Sequence, residues 1–501
     1  MTSAIHASRR RRQMGGLVAS CLLATVILAQ PAHRAGHDAH AAGSPIRPSH
    51  GKLGKPPDVW VVMLDDATVA DAKSMRPVWS FLVDRGVLFR RAYSSSATCC
   101  PARASLLTGQ YPHNHGVLTN HRPDGGFSEF DDTPTIATWM DRRYETGWIG
   151  KYLNDYEHGD DRYVPPGWDY WRAPVDNVYN YRHRVLNANG SLLSTNGIHS
   201  DVHAGRLTRG FMRARARRAE PYFLVSSFLA PHGGGPREAD DPARYVTPYV
   251  ARRYRNTYSG PDPSRDPAFN ERFIGDKRRS LQKVGRFGDD TKRAISDANA
   301  QRREALRSVT HQVMRTVGLL RRMHTLRDTM IVLVSDNGFM LGQHRLASGK
   351  RQPYEPASRA PLLVSGPKWR HGQVIDAPVG LHDVVPTILQ AAHVPRRRWV
   401  SSVDGVELQR VVSEPSSIRR QLILLEAGDN AGGYRYRGVV GRRWKLVRFF
   451  RGDTPQVEMY DLRRDPNELR SLGRDPAFDR ERESLISRLR ALGDCRGATC
   501  R

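Results

Sequence analysis

Four short apolar runs set the strongest constraint on how this chain can fold: DVWVVML at 58–64, YFLVSSFLAPH at 222–232, MIVLVS at 330–335 and APLLVSGP at 360–367. Each is too short for a globular helix and too continuous for a half-exposed strand, and each suits a strand buried on both faces of a largely parallel sheet. Helical patterns separate them. In AQRREALRSVTHQVMRTVGLLRRM, the residues Leu306, Val309, Val313, Val317 and Leu320 share one face, and PTIATWMDRRY is a second such segment. Strands alternating with helices predict an α/β fold with a doubly wound mixed sheet flanked by helices. From about residue 396 the texture changes. QLILLEAG, YRYRGVV, RRWKLVRFF and QVEMYDL are short, partly alternating segments, followed by an amphipathic stretch at 478–492. They predict a smaller antiparallel sheet closed by a helix, so the expected boundaries are an α/β domain at 57–395 and a C-terminal α+β subdomain at 396–501. The span 233–298 is polar, basic and rich in Pro and Asp, and reads as a long surface insertion near the substrate or as a partly disordered segment.

The amino-terminal residues read differently. RRRR at Arg9–Arg12 precedes the apolar GGLVASCLLATVILA, and small residues follow at AHRA and AHAAG. This predicts a signal peptide over 1–42, then a linker over 43–56, and a secreted or cell-envelope location. The apolar run is too short and wrongly flanked for a stable membrane span. Outside the cytoplasm, Cys495 and Cys500 in DCRGATCR can close a small disulfide loop. The chain carries 78 Lys+Arg against 51 Asp+Glu, a net charge of +27. That excess favours polyanionic partners, and is equally what a well-solvated basic surface gives. No nucleic-acid-binding motif accompanies it, so no nucleic-acid role is expected.

Two of the buried strands end in acids: Asp65-Asp66 after VVML, and Asp336-Asn337-Gly338 after IVLVS. Ligands of doubly wound sheets bind beyond the carboxyl ends of the strands. Four oxygen ligands gathered there suit a hard divalent cation, Ca²⁺ or Mg²⁺. Each pair is also an ordinary strand-to-turn signal, although adjacent carboxylates repel unless a cation or proton intervenes. The stretch SSSATCCPARASLLTGQYPHNHGV poses a different question, because adjacent cysteines rarely bond each other. Pro101 suits the first turn of a helix and Gly109 its end. Cys99 then sits at the helix N-terminus with Arg103 one turn on, as an activated thiolate nucleophile or as a structural cysteine.

Cys99-Cys100-Pro101-Ala102-Arg103, continued by ASLLTG, resembles the C-x-P-x-R…T-G signature of the sulfatase family, within the alkaline-phosphatase-like superfamily. The resemblance covers roughly residues 57–475. CCPARASLLTGQYPHNHGV, GKYLNDY, VPPGWDYW…YNY, SDNGFMLGQHRLASGKRQPYE and MYDLRRDPNEL are similar to N-acetylglucosamine-6-sulfatases and their heparan-sulfate 6-O-sulfatase relatives. It implies an alkaline-phosphatase-like fold and a sulfate-ester hydrolase acting on a sulfated sugar or polysaccharide. It further implies that Cys99, not Cys100, is oxidised to formylglycine by a dedicated generating enzyme. Asp65, Asp66, Asp336 and Asn337 would hold the metal, Ca²⁺ before Mg²⁺, with residue 99 touching it. The hydrated aldehyde would attack sulfur, with Arg103 favouring its deprotonation. Lys151 and Lys350 would clamp the sulfate oxygens, His232 would protonate the leaving alcohol, and His344 would line the substrate pocket. His113 and His115 would support the helix. Leu153 stands where many sulfatases carry His, as it does in the glucosamine-6-sulfatase group. Ala102 replaces the commoner serine. Formylglycine-dependent phosphodiester and phosphonate monoester hydrolases share the same core and form the alternative chemistry. An inactive polyanion-binding relative would have lost metal or nucleophile residues that are all present here.

Overall fold

The computed structural model describes residues 55–501 apart from 141–142, 157–159, 217, 416–417, 419 and 452–453. The expected signal peptide, and the linker through residue 54, lie outside the described residues.

The strands of the main layer are β1 (Asp58–Leu64), β2 (Gly86–Phe89), β3 (Ala92–Tyr93), β4 (Glu145–Gly150), β5 (Tyr170–Asp176), β6 (Val185–Ala188), β7 (Ser191–Ser194), β8 (Tyr222–Ser227), β9 (Thr329–Ser335), β10 (Leu362–Ser365), β11 (Gln373–Ile375) and β12 (Val379–Gly380). Among the described residues, ten of them form one mixed sheet in the order β11-β2-β10-β9-β1-β8-β4-β5-β6-β7, while β3 and β12 pair separately. All four apolar runs are strands of the large sheet. The centre is parallel: β1 pairs with β8 and with β9, and β4 with β8. β10 runs antiparallel to both β9 and β2, and β6 antiparallel to both β5 and β7, so the sheet is mixed as expected.

The continuous apolar runs are explained by burial on both faces. Alternate side chains of β1 divide between two cores, Val59, Val61 and Met63 on one face and Trp60, Val62 and Leu64 on the other. Each such side chain contributes about 1.5–3 kcal/mol by leaving water. The first core is completed by the helices Cys99–Thr108 and Val384–Ala391, the second by Arg76–Arg85, Ser200–Arg215 and Asp289–Arg322. The sheet is therefore covered by helices on both sides.

The last of those helices corrects the reading of 233–298 as an insertion throughout. It begins at Asp289 rather than near Ala300, because its buried stripe continues through Ile295 and Ala298, and Asp289 and Asp290 occupy its first turn, where acids are favoured. The preceding segment is not a mere surface loop either. Arg278 donates from its backbone to Glu458 at 2.6 Å and from its guanidinium to Tyr354 and Gln352, each at 3.0 Å.

The C-terminal strands β13 (Leu422–Gly428), β14 (Tyr434–Gly441), β15 (Trp444–Phe449) and β16 (Gln456–Asp461) form an antiparallel sheet in sequential order. The helix Asp479–Gly493 closes it through buried Leu485 and Leu489. Cys495 and Cys500 are joined by a disulfide, a pairing the sequence left open. Among the described residues no helix is long and apolar enough to cross a membrane.

Candidate active site

The register of β1 against β9 assembles the acids. Leu64 pairs with Ser335 at the carboxyl end of two parallel neighbours, so the next residues on each strand, Asp65-Asp66 and Asp336-Asn337, emerge side by side. Asp66 adopts a left-handed backbone, φ 67°, and its amide donates to Asp336 Oδ1 at 3.0 Å. Asn337 Nδ2 donates to Asp66 Oδ1 at 2.7 Å. Both acid pairs, single turn signals when read alone, thus belong to one buried centre.

The helix Cys99–Thr108 brings the next two groups. It starts at Cys99, as Pro101 predicts, and ends at Gly109 with φ 72°. That leaves Cys99 Sγ 3.2 Å from Asp65 Oδ1 and 3.6 Å from Asp66 Oδ1. Arg103, one turn on and wholly buried, donates from Nε to Asp336 Oδ2 at 2.8 Å and lies 3.4 Å from Asp65 Oδ2. Its remaining donor reaches the Lys151 carbonyl at 2.7 Å and Ser227 Oγ at 3.0 Å. The guanidinium therefore ties the ends of β1, β4, β8 and β9 together.

Two lysines come from loops. Lys151 follows Gly150, whose φ of 99° and contact with the Ser227 carbonyl leave no room for a Cβ. That turn sends Lys151 Nζ to Asp65 Oδ2 at 2.7 Å. Lys350 lies 2.5 Å from Asp66 Oδ1 and 2.6 Å from Cys99 Sγ. His232 follows β8 and places Nε2 3.6 Å from Asp66 Oδ2. A carbonyl only accepts, so the 2.6 Å contact between His232 Nδ1 and the Gly233 oxygen puts the proton on Nδ1.

Electrostatics follow from this packing. Burial pushes the Asp65 carboxyl up, but Lys151, His232, Arg103 and Lys350 outweigh it and hold the group well below the usual carboxylate range. Asp336 goes the other way, raised by burial and by Asp65 and Asp66 in spite of Arg103. Burial also lowers His232 to about 4 against the pull of Asp65 and Asp66, leaving the ring neutral near pH 7. Cys99 corrects an expectation. As a thiol it is raised well above its ordinary value, by burial and then by Asp336 and Asp65, more than Lys151 and Lys350 lower it. The helix N-terminus does not make it an activated thiolate, because burial, with Asp336 and Asp65, opposes charge on the sulfur more than the lysines favour it. Cys100 is likewise pushed up to about 12, by burial.

The ligand-bearing atoms of Asp65, Asp66, Cys99 and His232 all lie within 4.8 Å of one another. Asn337 Oδ1 is buried and has no hydrogen-bond partner in the protein. An orphaned amide oxygen beside three carboxylates is a donor set for a hard divalent cation. Asp336 and Asn337 stand directly beside Asp65 and Asp66 through the hydrogen bonds given above.

His344 stands apart from these contacts. It is buried against Tyr354, with Nδ1 2.6 Å from Glu271 Oε2 and Nε2 without a hydrogen-bond partner. His115 reaches Ser105 of the helix at 3.0 Å, whereas His113 contacts Glu426 at 2.8 Å and the Cys495 carbonyl at 2.9 Å rather than the helix. Residue-by-residue reading of the sequence missed Tyr179 and Ser227. The Tyr179 ring stacks on His232 with centroids 4.5 Å apart and lies 4.7 Å beneath Lys151 Nζ. A signal for Ser227 was present, since two serines in an otherwise apolar buried strand need partners.

Comparison with known proteins agrees with this geometry. A family profile described as sulfatase matches residues 57–394, and one described as N-sulphoglucosamine sulphohydrolase, C-terminal, matches 342–494. The Drosophila melanogaster protein named extracellular sulfatase SULF-1 homolog is 31% identical over 402 residues, covering 77% of this chain and 34% of that protein. A Caenorhabditis elegans homologue of the same kind is covered over 49% of its length, so the chain spans a third to a half of these two relatives. Human N-acetylglucosamine-6-sulfatase is 28% identical over 499 residues, covering 89% of this chain and 86% of that protein. A solved structure in complex with its substrate D-glucosamine-2-N,6-O-disulfate aligns with a TM-score of 0.68 at 20% identity, over 87% of this chain and 97% of that one. The phosphonate monoester hydrolase from Silicibacter pomeroyi shares the fold at a TM-score of 0.63 and 22% identity, over 88% and 96%. With the profile match spanning most of the described residues and its signature cysteine set among the acids of β1 and β9, the chain belongs to the sulfatase family.

Proposed function

We propose that this protein is an exported sulfatase that hydrolyses a sulfate ester on a sulfated sugar or polysaccharide, through a formylglycine made from Cys99 and a divalent cation. The observation that carries the reading is the position of Cys99, the first residue of a buried helix, within 3.6 Å of both Asp65 and Asp66 and 2.6 Å from Lys350. A sulfur held there with a raised pKa is a poor thiolate nucleophile, and an oxidised side chain at that position is the alternative. The relatives named as extracellular sulfatases and N-acetylglucosamine-6-sulfatases support export and a sulfated sugar.

Asp65, Asp66, Asp336 and Asn337 would hold the cation, Ca²⁺ in this reading and Mg²⁺ as the second choice. When bound it supplies positive charge beside the nucleophile and the ester oxygens. The chain's own residues account for the rest. Arg103 fixes Asp336 and the start of the helix at once, and so orients residue 99. Lys151 and Lys350 present ammonium groups at the same face, placed to pair with sulfate oxygens as negative charge builds. Tyr179 packs under Lys151 and against His232, which limits where both can move. His232 is the candidate proton donor to the leaving alcohol. Its ring is neutral here, so in that role it takes up a proton at Nε2 as the anionic substrate arrives. In this reading His344 would line the substrate pocket.

The phosphonate monoester hydrolase fold match keeps a second chemistry in view, and relative rates on aryl sulfate and on a phosphonate monoester decide between them. The primary test is mass spectrometry of the tryptic peptide Ala92–Arg103 from protein purified from its native host. Formylglycine or its hydrate at position 99 is the expected result; unmodified Cys99 throughout would sink the mechanism. Chelation should abolish turnover, and readdition of Ca²⁺ should restore it.

A further inference from the structure

At the other side of the same sheet edge lies a cavity of about 330 Å³ lined by Arg90, Arg91, Arg359, Asp376, Arg442 and Arg463, within the size range of small-ligand sites. Five guanidinium groups share it with one carboxylate. Arg90 is paired with Asp376, and Arg359 with Glu355 at 3.3 Å. Among the described residues Arg91, Arg442 and Arg463 form no ion pair. Such a surplus is self-repelling when the cavity holds only water, and an anion is the group that relieves it. Planar guanidinium forks match sulfate and carboxylate oxygens two at a time, which a lysine cluster does not.

The strand directions say where the cavity faces. β2 is antiparallel to β10, which is antiparallel to β9, and β11 is parallel to β2. Thus β2 and β11 run the same way as β9 and β1. Arg90, just past β2, and Asp376, just past β11, leave the sheet on the edge that carries Asp65 and Asp336. Three strand spacings separate β2 from β1, about 14 Å. Arg442 and Arg463 reach the same cavity from the β14–β15 turn and from beyond β16, so the two sheets build it jointly.

We propose that this cavity is an anion-binding exosite, holding a sulfate or carboxylate group of the same acidic polysaccharide whose ester is presented to residue 99. The proposal rests on the sulfated-polysaccharide reading above and adds a second point of attachment, which assigns part of the +27 net charge a location. A chain held at both points is retained between encounters, whereas a single sulfated sugar gains nothing from the cavity.

The test uses the full-length protein and the double variant Arg442→Glu/Arg463→Glu. Both side chains are exposed and form no ion pair among the described residues, so thermal melting should be unchanged. Heparin oligosaccharides of defined length and, separately, inorganic sulfate are titrated by calorimetry, and turnover of heparin and of an aryl sulfate is measured in parallel. The expected result is oligosaccharide binding weakened about tenfold or more in the variant, a KM for heparin raised by a similar factor, and unchanged kcat/KM on the aryl sulfate. Unchanged oligosaccharide binding overturns the exosite. So does inorganic sulfate binding as tightly as the oligosaccharide, which would make the cavity a site for free anions only. Absence of aryl-sulfate turnover in the unaltered protein would instead sink the sulfatase reading alone, because the titration reads the cavity without catalysis.

Discussion

At the amino end of β1, Asp58 accepts a hydrogen bond from the Tyr222 amide at 3.1 Å, and burial pushes its carboxyl up to about 6 against that bond and the nearby Lys55. At the carboxyl end of the same strand, Asp65 is enclosed completely and is nevertheless held well below the usual range by Lys151, His232, Arg103 and Lys350. One residue type on one strand meets two fates. Burial by itself works against a carboxylate, and what distinguishes the functional end is the convergence of cations from three other segments. A third cluster refines the lesson. Lys445 is fully buried between Glu355 Oε1 at 3.0 Å and Glu468 Oε1 at 2.8 Å, and none of these three side chains has an orphaned polar atom among the described residues. Around Cys99, Asn337 Oδ1 remains without a partner. Buried ion pairs mark both places, while an orphaned oxygen is found beside Cys99 and not around Lys445.

That contrast is open to direct attack. Cys99→Ala should lower sulfate-ester turnover by at least about 10⁴-fold with the melting temperature unchanged; a variant that retains turnover would move the nucleophile elsewhere. Lys445→Ala should do the opposite. It takes the cation from buried Glu468 and leaves Glu355 with Arg359 alone, at a cost of about 3–5 kcal/mol in urea unfolding, and should leave kcat/KM of the folded fraction unchanged. If activity falls while stability holds, the distinction between structural and functional clusters fails. Lys151→Ala should cost about 10²–10³ in kcat/KM, because Asp65 keeps Arg103 near it while an ammonium facing the substrate is lost.

The smallest effect tests the amino end. Because the folded value of Asp58 lies above the ordinary 3.8, ionisation opposes folding. Stability attached to this group is present in full below about pH 4 and is lost as pH rises through about 6. Asp58→Asn, which removes the ionisation, should therefore be more stable than the parent by about 1–2 kcal/mol at pH 8. The gap should close on acidification toward pH 4. A gap independent of pH would show that the Tyr222 hydrogen bond, and not burial, dominates there.

The strands and most of the helices were legible because their signals are local. Double-faced burial leaves continuous apolar runs such as Val59–Leu64 and Thr329–Ser335, and Pro101 with Gly109 brackets the helix that begins at Cys99. The start of the long helix at Asp289 was not legible, since its first turns are polar and exposed and only Ile295 and Ala298 carry the buried stripe toward it. The site residues were legible as family motifs, and each was ambiguous taken alone. Asp65 and Asp58 look equivalent along the chain, and so do Lys151, Lys350 and Lys445. Only the tertiary structure separates them, through the register that sets Leu64 opposite Ser335, the left-handed Gly150 that turns Lys151 inward, and the packing that buries Cys99 against Asp65, Asp66 and Lys350. The sequence by itself determined the layered α/β order, the small C-terminal sheet and the signature cysteine, because periodicity and short motifs are written within a few residues. Which charges are paired, which oxygen is left without a partner, and where five arginines meet one aspartate were decided by contacts between segments far apart in the chain, and such contacts depend on strand order and loop direction rather than on neighbouring residues.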